Sequence, residues 1–254
     1  MQIIEEKFQS TVKEIEIYID YVQKSQEGIF FKDSINLELE AQLLSETKLV
    51  HNILIANGYL LLYNLIEATI RSICESLHKT ILRDGINYNS LSDEYKSLWL
   101  LFRVQHSGMK NHNSSRISLE LRRIINQVLE ENIVDLEGVF RLQYLELGGN
   151  ITHSKVLKIA KMYGFKNLIS NRISRTIEET INDIRIKRND LAHGNKSFSD
   201  LGKNVSAQQL NKEFLSIKKY LSKLIGGIKQ FLKTKQYLNN KHRSSKKTSN
   251  IISK

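Results

Sequence analysis

The chain has 254 residues, 41% apolar and 26% charged, with no proline at all, which suits one or two largely helical domains with a substantial core. Its single cysteine, Cys74, cannot close an internal disulfide; no apolar run approaches the roughly 18 residues that span a membrane, and MQIIEEKFQS lacks the basic start and apolar middle of a signal peptide. A cytoplasmic protein without a membrane partner is therefore expected. The net charge of +11 is unevenly placed: residues 201–254 carry 13 Lys or Arg and one acid, Glu213, whereas residues 1–200 are close to neutral. Such an asymmetry points to a polyanion partner, with simple solvation of a tail as the plainer alternative.

Taken in order, residues 3–24 read as a helix with Ile4, Phe8, Val12, Ile15, Ile19 and Val22 as its apolar stripe. Residues 37 to about 83 read as one long helix with Gly58 its only soft point. A helix of that length needs partners along it, so it is expected to be the central packing element. Cys74 falls on its apolar face as a structural thiol. Glu67 and Arg71, four apart, are expected to pair on its surface; the alternative is that Glu67 points inward to a polar network. A turn-rich link at 83–95 leads to a short helix with Ser92 as candidate N-cap. Residues 106–116 form a loop whose His106 and His112 lack companions for a metal site, so no metal is expected. A helix at 116–131 and a short apolar stretch at 138–147 follow. Thr152 is expected to cap a helix that Gly164 ends. After a helix running to about 192, NKSFSDLGKNVS reads as a polar link. A last helix spans about 206–238, with Leu210, Phe214, Ile217, Leu221, Leu224, Ile228 and Leu232 as its stripe. The expected organisation is one all-helical domain over 1–234 and a basic, disordered tail over 235–254.

The chemistry concentrates in IKRNDLAHGNKS, residues 186–197. Ile173, Ile177, Ile181 and Ile184 recur at helical spacing before it, Leu191 continues the stripe within it, and Gly194 is a natural helix stop. His193 thus falls in a last helical turn. Helix ends favour positive charge there, a setting suited to acid–base work near neutral pH. Five residues on a helix turn about 500°, so Arg188 and His193 point about 140° apart and do not meet on one regular face. Asn189 and His193 do share a face.

Arg188, four residues, then His193 before a glycine, closing a late helix of an all-helical chain, resembles the HEPN superfamily of ribonucleases. ANGYLLLYNLIEATIRSICESL (56–77) is similar to that family's long early helix. GGNITHSKVLKIAKMYGF (148–165) is similar to a middle segment of the MAE_28990/MAE_18760-like HEPN group. The resemblance implies an all-α, HEPN-like helical bundle with one long central helix, here with an additional C-terminal helix. It implies a homodimer whose motif helices face each other across a composite site.

The implied activity is endonucleolytic RNA cleavage without metal or other cofactor. The 2′-hydroxyl attacks the adjacent phosphorus, leaving 2′,3′-cyclic phosphate and 5′-hydroxyl ends. His193 would move protons, Arg188 would hold the phosphate, and Asn189 or Asp190 would orient His193 or the substrate. Lys187, Lys241, Arg243, Lys246 and Lys247 are the candidate RNA-binding cations. The resemblance places such a protein in stress response or defence against phage, with an antitoxin or regulatory protein as a candidate partner. Some superfamily toxins carry a tyrosine two residues after the histidine as an adenylylation site; Asn195 stands there, so that form of regulation is not supported. Two other classes compete: a non-catalytic RNA-binding scaffold, and a helical protein-interaction module.

Overall fold

The computed structural model describes residues 2–26, 37–107, 114–130, 132–136, 150–165, 175–241 and 243, with the side chains of 26, 37–43 and 114–116 excepted. The described residues form α1 (Gln2–Gln26), α2 (Leu37–Arg83), a 3₁₀ turn (Tyr88–Ser90), α3 (Asp93–His106), α4 (Ser114–Leu129), α5 (His153–Met162), α6 (Arg175–Ala192), α7 (Phe198–Gly202) and α8 (Ala207–Lys233). No strand occurs among them, only the isolated bridges Asn87–Ile133 and Leu91–Leu238. The fold is all-α.

Helix α2 is continuous through Gly58 and runs for 47 residues, about 70 Å at 1.5 Å per residue. It packs against α1, α6, α7 and α8, which is why its buried residues lie on several faces: Tyr59, Leu62, Tyr63, Ile66, Ile70, Cys74 and Leu77 among them. Their burial supplies the tertiary support that an isolated helix of this length would lack. The expectation of no membrane-length apolar segment needs correction. An 18-residue window within Leu44–Arg83 reaches a mean hydropathy of 1.5, enough to cross a membrane by length and composition, but 56% of that window is buried inside the protein. The apolar character serves the core.

The stripe expected on α1 is buried from Ile4 to Val22, and it lies against α2 and α8. Thr152 caps α5, its Oγ1 accepting from Lys155 N at 3.2 Å, and Gly164 ends the turn after α5 at φ +68°. Ser92 takes the N-cap position of α3 without a side-chain hydrogen bond. Cys74 is buried against Tyr163, and burial pushes its thiol up to about 12, as suits a packing residue rather than a nucleophile.

Two expectations fail at connections. The polar link after the motif contains α7, whose Leu201 and Gly202 are buried against α2. A Cβ at Gly202 would sit 1.9 Å from the Asn52 carbonyl oxygen, so this approach of two backbones requires glycine. Two apolar residues, Phe198 and Leu201, are too few to show a helical period. The second failure is the tail boundary at 235. Helix α8 ends at Lys233, yet Tyr237 and Leu238 are buried. Tyr237 donates to Asp84 Oδ2 at 2.5 Å, its carbonyl accepts from Ser92 N at 2.8 Å, and Asn239 N donates to Ser90 O at 3.0 Å. The packed body therefore reaches past 234. The apolar stretch expected at 138–147 lies outside the described residues.

Candidate functional site

Helix α6 presents Ile177, Ile181, Ile184 and Leu191 to the core and brings Lys187 and Arg188 against Tyr59 and Tyr63 of α2. Its end is closed by paired backbone bonds: Asn195 N donates to Asp190 O at 2.8 Å and Gly194 N to Leu191 O at 3.3 Å. This crossing of bonds over a left-handed residue is the Schellman pattern, and Gly194 at φ +69° provides that residue without a Cβ penalty. His193 therefore sits in the turn, one position past the last helical residue, with its side chain exposed. Its N–H still donates to Asn189 O at 3.0 Å, so the helical course is regular up to the motif's end. No distortion brings Arg188 and His193 together, and no bond between them occurs among the described residues.

Arg188 is held rather than loose. Its guanidinium lies over the Tyr63 ring, 4.8 Å from the centroid, and Nη1 donates to Asn189 Oδ1 at 3.0 Å. Tyr63 is buried, and its hydroxyl accepts from Ile151 N at 3.1 Å. Burial raises its pKa; Glu67 adds to this, while Arg188 and Arg185 act against it. A cation over a phenol face is worth about 0.5–1 kcal/mol when exposed and about 2 when desolvated. Asn189 in turn donates from Nδ2 to Asn150 Oδ1 at 3.0 Å.

Asp190 turns the other way, accepting from Lys196 at 3.1 Å. The hydrogen bond from Lys196, with help from Asn195, holds its carboxyl below the usual carboxylate range. Lys187 does not project towards solvent as an RNA contact would. Its side chain is 18% exposed and ion-paired with Asp183; Nζ donates to the Tyr59 hydroxyl at 3.1 Å and lies 4.2 Å from that ring's centroid. Burial, then the carboxylate of Glu213, raises the pKa of the Tyr59 hydroxyl. Glu213, the one acid in the basic C-terminal region, is buried on α8 and accepts from Gln209 Nε2 at 2.5 Å. Lys187 thus ties the motif helix to α2.

Arg243 is also spoken for: its Nε and Nη2 donate to the carbonyls of Leu238 and Gln236, both at 2.6 Å. It secures the turn after α8 rather than belonging to a free tail. Lys241 is on the surface, and Lys246 and Lys247 lie outside the described residues. Glu67 pairs with Arg71 at 3.1 Å as expected, and its charge helps raise the pKa of the Tyr63 hydroxyl. Among the described residues no group of three or more His, Cys, Asp or Glu is placed to hold a metal ion.

Comparison with known families decides the relationship. The family described as HEPN_MAE_28990/-like HEPN matches residues 1–237. The chain belongs to this HEPN family. No curated protein and no solved structure matches it significantly. The match ends at 237, within the turn that ties α8 to Asp84 and Ser92. Of the motif's surroundings in this HEPN chain, Asn150, Arg185, Tyr59 and Tyr63 were not singled out from sequence. Asn150 lies inside GGNITH, and the two tyrosines lie four apart on the long helix; both segments carried the resemblance, so the signal was regional but not residue-specific.

Proposed function

We propose that this HEPN protein is a cofactor-free endoribonuclease in which Arg188 and His193 act on the scissile phosphate. The observation that carries the reading is the state of the motif in a chain of this family. Arg188 is held by Tyr63 and Asn189, and His193 stands exposed in the turn that ends the same helix. The substrate supplies the nucleophile, its own 2′-hydroxyl, so the protein need only shuttle protons and stabilise charge. A guanidinium suits two phosphate oxygens at once. Asn189 supports Arg188, and Asp190 supports the turn through Lys196.

Because α6 stays regular, Arg188 and His193 of one chain diverge. The reading therefore includes a homodimer in which Arg188 of one protomer and His193 of its partner face the same phosphate. Action as a toxin or defence effector in the cytoplasm, restrained by an antitoxin, belongs to the same proposal.

The test is cleavage of single-stranded RNA in the presence of a chelator. Wild-type protein should yield 2′,3′-cyclic phosphate ends and leave 2′-deoxy positions uncut. Arg188→Ala and His193→Ala should each lose about 10²–10⁴-fold in kcat. Mixing the two inactive variants should restore about one quarter of wild-type activity, because half the dimers are mixed and each holds one intact composite site. Unchanged cleavage in both single variants would remove the motif from catalysis. RNA binding with no cleavage by wild type would leave the non-catalytic scaffold as the function.

A further inference from the structure

We infer that Asn150 is a positioning residue for Arg188, fixing the guanidinium through a directed chain of side-chain amides. The inference rests on the ribonuclease reading for its effect on rate, but its geometry stands separately. Asn150 precedes α5, 38 positions before Arg188 in sequence. Its Oδ1 accepts from two groups on α6: Asn189 Nδ2 at 3.0 Å and Arg185 Nη1 at 3.3 Å.

The polarity of the chain follows from its two ends. An arginine has five donors and no acceptor. Arg185, itself held to Asn182 Oδ1 through Nη2 at 2.8 Å and Nε at 3.3 Å, can meet only an oxygen of Asn150. With that oxygen turned to α6, Asn189 can approach it only through its NH₂. The Asn189 oxygen then faces the opposite way, where Arg188 Nη1 donates to it at 3.0 Å. Arg188 is again donor-only, so both ends of the relay demand the same amide orientations. Without Asn150 the Asn189 amide is free to flip, and a flipped amide would set NH₂ against guanidinium, donor against donor.

A second tie runs through the next residue. Ile151 N donates to the Tyr63 hydroxyl, and the Tyr63 ring carries the Arg188 guanidinium on its face. Residues 150 and 151 therefore hold both supports of Arg188, one from its edge and one from below. An arginine side chain is rich in rotamer freedom, and these contacts remove much of it before substrate arrives.

Among the described residues only the acceptor oxygen of Asn150 is used, which sets the test. Asn150→Ala should lower kcat about 10- to 100-fold, the size of effect that a small misplacement of a reacting or charge-stabilising group produces, with little change in KM. Asn150→Asp keeps an acceptor facing Arg185 and Asn189 and should retain most activity. In an Arg188→Ala background, Asn150→Ala should add no further loss, because there is nothing left to position. The activity-independent readout is nuclear magnetic resonance. The Asn189 side-chain amide and the Arg188 Nε–H signals should move in Asn150→Ala and stay near wild type in Asn150→Asp. Wild-type kcat in Asn150→Ala, an undiminished loss in the Arg188→Ala background, or unmoved Arg188 and Asn189 signals would each overturn the inference. If wild-type protein cuts no RNA, the ribonuclease reading fails, and the resonance shifts alone decide whether Asn150 positions Arg188.

Discussion

At the scale of single residues, side-chain direction decides what a charge does. The motif was readable because its parts are local: a five-residue spacing, a helical stripe before it and a glycine after it. The supports of Arg188 were not, because Tyr63 and Asn150 meet α6 only through folding. The partners of Lys187 and Arg243 were hidden for the same reason, since a basic residue in a sequence carries no sign of whether a carboxylate, a phenol ring or a carbonyl will claim it. His78 is a residue whose burial is consequential. It is fully buried on α2, its Nε2 lies 2.7 Å from the Tyr163 hydroxyl, and desolvation lowers its pKa to about 3. The unfolded chain has the ordinary value near 6.5, so below that pH the unfolded state binds the proton first. Stability from this group is intact above pH 6.5 and falls as pH drops from 6.5 towards 3. At pH 5 the loss is about 2 kcal/mol. Chemical denaturation of wild type and His78→Gln at pH 7.5 and 5 should show their stability difference shifting by about that amount in favour of the variant. A constant difference would mean that His78 titrates in the fold as it does in the unfolded chain.

At the scale of elements, the helices with strong periodicity were the ones read correctly. The stripes of α1 and α8 are long enough for a 3.6-residue period to stand out, and the absence of proline lets α2 run unbroken. The short α7 escaped notice because five residues hold too few apolar positions to show a period, although Ser197 and Asp200 form a capping pair at 3.0 Å from Asp200 N to Ser197 Oγ. Its consequence for the site is larger than its length. α7 follows the His193 turn at once and docks on α2 through Gly202, against the carbonyl of Asn52. Gly202→Ala would drive a methyl group into the backbone of Asn52, where no rotamer change relieves it. The cost expected from such overpacking is about 1–3 kcal/mol. The variant should denature earlier and lose cleavage activity although no group at the phosphate has changed. Wild-type stability would show that α7 rests on α2 with room to spare.

At the scale of the whole molecule, the question is where the packed body ends and the basic extension begins. Composition placed the change at 235, since Lys235, Lys241, Arg243, Lys246, Lys247 and Lys254 follow without an acid. Packing places it later. Tyr237 and Leu238 fill the space between α2, α3 and α8; Tyr237 lies 6.3 Å from the Tyr95 ring and donates to Asp84. Lys235 pairs with the same carboxylate at 3.2 Å, and Arg243 braces the carbonyls of the turn. A chain ending at Gln236 would lose a buried tyrosine and a buried leucine together, each worth about 2–5 kcal/mol by comparison with large-to-alanine changes. A large share of a typical domain's stability would go with them. Such a chain should lose most of its cooperative unfolding, whereas one ending at Arg243 should melt like the full protein. The second truncation isolates the role of the remaining basic residues. It removes Lys246, Lys247 and Lys254, and under the proposed function the dependence of log affinity on log salt for single-stranded RNA should flatten by up to about 2, at 0.7 per phosphate neutralised. Turnover at saturating RNA should be unchanged, because Arg188, His193 and Asn150 are all retained. An unaltered salt slope would confine RNA contact to the packed body.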